Sequence, residues 1–81
     1  MKTIKYYSAK WSGPCRAFRP IMQEVVSEGH SVQFIDIDKQ TGIAEEYKVR
    51  AVPTIVVEEN GRVIDRIIGV ITKQQILERL M

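Results

Sequence analysis

The heptapeptide Lys10-Trp11-Ser12-Gly13-Pro14-Cys15-Arg16 sets a Gly-Pro turn between a serine and a cysteine three residues apart. The apolar residues downstream, Ala17, Phe18, Ile21, Met22, Val25 and Val26, repeat at i, i+1, i+4, i+5, i+8 and i+9, one face of a helix over 14–28. The turn therefore lies at the mouth of a helix, with Cys15 near the edge of its apolar face. Pro20 falls on the opposite side and predicts a kink that bends the helix without ending it. Upstream, residues 2–8, KTIKYYS, read as a short strand carrying Ile4, Tyr6 and Tyr7.

Beyond the helix, Gly29 and His30 supply a stop, and residues 31–38, SVQFIDID, form a strand with few polar interruptions. That pattern predicts burial on both faces and a parallel, central position. Thr41 is placed to cap a short helix in which Ile43 and Tyr47 share a face. Residues 52–69, VPTIVVEENGRVIDRIIG, read as two strands around the hairpin signal Asn60-Gly61. Thr72 and Gln75 form a capping box ahead of the stripe Ile76, Leu77, Leu80 and Met81. The order β-α-β-α-β-β-α implies an α/β fold with a four-stranded mixed sheet and helices on both faces. In open sheets of this kind, function gathers beyond the carboxyl ends of the strands, where Trp11 to Cys15 lie.

With 81 residues the chain has room for one small core, so a single domain over 1–81 is expected. Its apolar content of 44% and charged content of 27% are ordinary for a globular protein, and no apolar run is long enough to span a membrane. The N-terminal residues include no apolar secretion segment, which predicts a cytoplasmic location. One cysteine excludes an internal disulfide framework and offers too few ligands for a structural zinc site. A net charge of +2 gives no ground for nucleic-acid or membrane binding, but its distribution is uneven. Lys2, Lys5, Lys10, Arg16 and Arg19 all precede the first acidic residue, Glu24, leaving seven basic and ten acidic residues for the rest. This is either a chance surface bias or a positive field around Cys15 that favours thiolate and acidic partners.

With these landmarks in place, the chain resembles the thioredoxin family, in a short form lacking the extra N-terminal strand and helix. Trp11-Ser12-Gly13-Pro14-Cys15 stands where the family has Trp-Cys-Gly-Pro-Cys, and Arg50-Ala51-Val52-Pro53-Thr54 where it places a cis-proline. Asn60-Gly61 and Gly69 match in order and spacing. The resemblance implies a thioredoxin-like fold and protein-disulfide reduction by dithiol exchange, with no bound cofactor and no metal. A thiolate at the first motif position attacks a partner disulfide, and the second cysteine, Cys15, resolves the mixed disulfide. The unpaired N–H groups and positive end of a helix lower a thiol's pKa, and only the thiolate is a competent nucleophile. Gly13 and Pro14 hold the two positions close. By the same resemblance Trp11, Val52, Pro53, Thr54, Gly69 and Val70 form the substrate-binding rim, and the backbone of Val52 pairs with an extended segment of the partner. The implied partners are a flavin-dependent, thioredoxin reductase-type electron donor and disulfide-containing proteins, acting on a monomer.

Ser12 occupies the attacking position, and its hydroxyl is scarcely ionised near neutral pH without a strong base beside it. The chain as written is expected to be inactive. Two accounts stay open, a serine introduced in place of the attacking cysteine and a natural loss of redox activity; the intact surroundings favour the first. Ser12 also suits a helix cap. Two further departures concern charge: Tyr6 replaces the family's buried aspartate and Phe34 a nearby lysine, so that neither charge is left buried alone. Elsewhere, His30 reads as a surface or capping residue, Asp36 and Asp38 as solvated carboxylates at a strand end, and Glu58-Glu59 as a hydrophilic hairpin shoulder. The alternative function is a redox-inactive adaptor that uses the same surface to bind a protein. A monothiol, glutaredoxin-like enzyme ranks last, because that pattern retains the first cysteine.

Overall fold

Seven elements follow the order read from the sequence in the computed structural model, which describes residues 1–46 and 48–81. They are β1 (Lys2–Ser8), α1 (Gly13–Ser27), β2 (Ser31–Asp36), α2 (Thr41–Glu46), β3 (Thr54–Glu59), β4 (Arg62–Ile68) and α3 (Lys73–Arg79). The sheet runs β2-β1-β3-β4, with β1 parallel to β2 and antiparallel to β3, and β3 antiparallel to β4. β1 is thus central. Its alternation divides the core: Ile4 and Tyr6 join Phe18, Met22 and Val25 of α1 and Ile76 of α3 on one face, while Tyr7 joins Ile35 and Val56 on the other, where Ile43 of α2 packs. The sheet is therefore covered on both faces, as the apolar patterning requires.

β2 is parallel but lies at the edge of the sheet, not at its centre. Its side chains do serve both faces, Val32 and Phe34 one and Ile35 the other. Two-sided apolarity records what lies above and below a strand and carries no information about whether both lateral edges are paired. The strand also stops at Asp36, because Lys39 and Gln40 turn back to donate to the Asp36 carbonyl.

α1 runs through Pro20 to Ser27, with the proline on its exposed side. Its buried residues are Cys15, Phe18, Met22 and Val25, a narrower stripe than the sequence pattern suggests. Ala17 and Val26 lie on the flanks and are exposed. Thr41 is the first residue of α2 and not its cap; Tyr47, expected to share a face with Ile43, lies outside the described residues. The β3–β4 hairpin turns through Asn60 at φ 53° and Gly61 at φ 82°, the paired left-handed conformation that Asn-Gly adopts at low cost. Thr72 and Gln75 form the reciprocal capping box, after which Ile76 is buried and Met81, beyond the end of α3, is exposed.

Candidate functional site

Register places four connections at one end of the sheet. Tyr7 pairs with Thr54 and Thr54 with Ile68, while Ser8 pairs with Asp36. The segments that follow β1, β2 and β4, and the one that precedes β3, therefore all leave from this end. They carry Trp11 to Cys15, Asp38 and Lys39, Gly69 and Val70, and Val52 and Pro53 respectively.

Ser12 is the N-cap of α1, with extended backbone angles (φ −87°, ψ 118°). Its Oγ accepts from the backbone N–H of Cys15 at 3.3 Å, and its carbonyl accepts from the N–H of Arg16 at 3.1 Å. The hydroxyl thus satisfies one of the donors that a helix start leaves unpaired, an interaction that contributes about 1 kcal/mol. Gly13 and Pro14 open the helix and are exposed, whereas Ser12 and Cys15 are shielded, Cys15 to 3% exposure. Pro14 fits here because the first helical positions lack an intrahelical partner for an N–H. Residues 12 and 15 are brought together on the tip of one helix, where the helix dipole presents positive charge.

Trp11 is 66% exposed and does not belong to the core. Its indole N–H donates to the Asp38 carboxylate at 2.9 Å. Asp36 is used nearby, its carboxylate accepting from the backbone N–H of Asp38 at 2.9 Å. Neither carboxylate is simply a solvated strand end, and the Trp11–Asp38 link went unseen because no local pattern connects residues 27 positions apart.

The Val52–Pro53 bond is cis. The Pro53 carbonyl accepts from the N–H of Gly69 at 2.9 Å, tying the segment before β3 to the one after β4. Gly69 makes this contact at φ +98°, a conformation that L side chains rarely adopt. Thr54 is buried, and its hydroxyl donates to the Ala51 carbonyl at 2.6 Å. Val70 is exposed. Trp11, Gly13, Pro14 and Val70 thus present accessible surface at this end, with Pro53 and Thr54 set beneath. His30 immediately precedes Ser31, which pairs with Thr3, so it sits at the other end of the sheet.

Beneath Cys15, Tyr6 and Phe34 are direct cross-strand partners whose rings meet edge to face at 5.6 Å between centroids. Tyr6 meets Phe18 in the same manner at 5.8 Å, and the Arg19 guanidinium lies 4.9 Å from the centre of the Phe34 ring. The Tyr6 hydroxyl donates to the Cys15 carbonyl at 3.1 Å. Burial, reinforced by the neighbouring Cys15, pushes the Tyr6 phenol from 10 up to about 12, against a smaller opposing effect of Arg19. A phenol that holds its proton so firmly donates a hydrogen bond and does not act as a base at neutral pH.

The folded chain therefore keeps a proton between pH 10 and 12 that the unfolded chain has released. Its contribution to stability is intact below pH 10 and is lost as pH rises through about 12, a change of roughly 2 to 3 kcal/mol. Tyr6→Phe is expected to cost about 1 kcal/mol at neutral pH, for the lost hydrogen bond, and to flatten this alkaline decline. Urea unfolding of both chains across the window checks it; parallel curves would show that Tyr6 is not the group responsible.

A family model described as Thioredoxin matches residues 2–81. A thioredoxin of Mycoplasmoides gallisepticum is 33% identical over 81 residues, an alignment covering 98% of this chain and 81% of the relative. Thioredoxin H5 of Arabidopsis thaliana is 39% identical over 93% of this chain and 64% of its own length. The mitochondrial thioredoxin of Bos taurus is 37% identical, and there the match covers only 44% of the longer protein. Among solved structures, a mutant thioredoxin from Halobacterium salinarum NRC-1 superposes with a TM-score of 0.91 at 25% identity, covering 96% of this chain and 70% of that one.

Proposed function

The chain belongs to the thioredoxin family, and from that premise we propose that its site is a protein thiol-disulfide exchange centre held inactive by the serine at its attacking position. The observation that carries this reading is the pairing of Ser12 and Cys15 at the tip of α1, one as the cap and the other as the residue whose N–H it receives. An electropositive helix tip lowers the pKa of a thiol into a useful range, whereas a hydroxyl starts too high for the same field to ionise it. In this reading Cys15 is the resolving thiol, and Gly13 and Pro14 set its distance from position 12.

The rim of Trp11, Val52, Pro53, Thr54, Gly69 and Val70 takes an extended stretch of a disulfide-bearing protein, with the backbone of Val52 as its pairing edge. The parent activity is protein-disulfide reduction by a monomeric, single-domain protein of the cytoplasm, re-reduced by a thioredoxin reductase-type donor. No helix among the described residues is long and apolar enough to cross a membrane. A second reading, a redox-inactive adaptor that binds a protein through the same rim, draws support from how well Ser12 serves as a cap: the tip is structurally complete without a second thiol.

The test is dithiothreitol-driven insulin reduction by the chain as it stands, together with alkylation of Cys15. No catalysis above the dithiothreitol background is expected, with alkylation slow in the native chain and fast after denaturation, since Cys15 is only 3% exposed. Turnover by this chain, or equal alkylation rates in the two states, would contradict the reading.

A further inference from the structure

The five early cations do not form one patch. Lys2 donates to the Met81 carbonyl and Lys5 pairs with Glu58, both away from the first turns of α1. Lys10, Arg16 and Arg19 converge instead around a recess of about 360 Å³ beside the first turns of α1, where Lys39 joins them from the turn after β2. Arg16 and Arg19 are three apart on the helix and so share a face. We propose that this recess is a binding site for a small polyanion carrying two or more phosphate or carboxylate groups.

Charge is the first argument. Four cations line the recess against one carboxylate, Asp36, which already accepts from the N–H of Asp38. Among the described residues, none of the four lies within ion-pairing distance of a carboxylate. Like charges gathered around a concave, partly apolar surface raise the local potential, and a bound anion relieves that repulsion.

Preorganisation is the second. The Arg16 guanidinium is anchored by donating to the Lys10 carbonyl at 3.1 Å, and that of Arg19 by lying over Phe34. Each anchor leaves further N–H donors of the guanidinium for a ligand, and groups already held lose less freedom on binding. The third argument is shape. The recess reaches inward to Cys15 and Ile35, both buried, so it admits a compact molecule and not a strand of nucleic acid tracking over a surface. A ligand seated there would also cover this approach to the Cys15 thiol.

The experiment is a titration of the full chain with sodium pyrophosphate, with citrate, and with sodium chloride at matched ionic strength, followed by amide chemical shifts. Saturable one-to-one binding of pyrophosphate or citrate is expected, with shifts centred on Lys10, Arg16, Arg19 and Lys39; tighter pyrophosphate assigns a phosphate ligand and tighter citrate a carboxylate. The double variant Arg19→Gln, Lys39→Gln should bind at least tenfold more weakly, and Arg62→Gln, on β4, should bind as the parent does. Both changes are at exposed positions, and thermal unfolding verifies that each variant is folded. Unsaturable, scattered shifts, shifts reproduced by chloride, or unchanged affinity in the double variant would overturn the proposal. The readout is binding alone, so its failure leaves the thiol-exchange reading intact, and failure of that reading leaves this one intact.

Discussion

Ser12→Cys is expected to give this chain disulfide-reductase activity, with a gain in insulin reduction on the order of 10³-fold or more over the unmodified protein. The substitution removes the cap that Ser12 Oγ provides to the Cys15 N–H, a loss of about 1 kcal/mol that the fold can absorb. In exchange, a sulfur replaces the oxygen at the electropositive tip of α1, with Lys10 and Arg16 in the same segment. As a thiolate it attacks one sulfur of a partner disulfide, forming the mixed disulfide and expelling the partner's other sulfur as thiolate. Cys15 then loses its proton, attacks the sulfur at position 12 and releases the second partner thiol, leaving a 12–15 disulfide that dithiothreitol reduces.

The second step is the slow one in this geometry. A carboxylate beside Cys15 could accept the thiol proton, but the side chain set beneath it is that of Tyr6, whose phenol is pushed up to about 12 and already donates to the Cys15 carbonyl. With the proton left to solvent or to Asp36 across the recess, the mixed disulfide should accumulate and be visible by mass spectrometry. Should the variant remain inert while both thiols react with a small probe, the adaptor reading replaces the enzymatic one.

The features legible in the sequence were those written in neighbouring residues. Asn60-Gly61 specified its hairpin because the turn conformation depends on those two residues alone, and the Thr72–Gln75 box specified the start of α3 for the same reason. The pairing of Tyr6 with Phe34, suggested by resemblance as a joint replacement of two charges, proved to be a direct cross-strand contact. What escaped depends on tertiary placement. β2 reads like a central strand because its two faces are apolar, yet its position is set by which strands β1 pairs with, a choice encoded elsewhere in the chain. Asp38 looked like a solvated carboxylate until the fold brought the Trp11 indole to it. The early run of cations divides for a similar reason: Lys2 and Lys5 follow β1 away from the site, while Arg16 and Arg19 return along α1 to meet Lys39.

The helix offers a sharp contrast between apparent and actual core positions. Phe18 and Val26 lie on the same predicted stripe, but Phe18 is fully buried against Tyr6 and Met22, whereas Val26 is 41% exposed. Phe18→Ala removes a ring from a cluster joining α1, α3 and all four strands, which is expected to cost about 3 to 5 kcal/mol. A protein of this size has a total stability of only about 4 to 12 kcal/mol, so the loss takes a large share and should lower the melting temperature by roughly 15 to 30 °C. Val26→Ala should change stability by no more than about 1 kcal/mol, because 41% of its surface stays in water and alanine is the better helix former. Cys15 connects this to the site. Phe18 supports Tyr6, and Tyr6 holds the Cys15 carbonyl, so Phe18→Ala should also speed alkylation of Cys15 at temperatures where the chain remains largely folded. Equal destabilisation by the two alanines would mean that the helix face, and with it the shielding of Cys15, is wrongly placed. A large stability loss with unchanged thiol reactivity would instead separate the core from the site and sever the link through Tyr6.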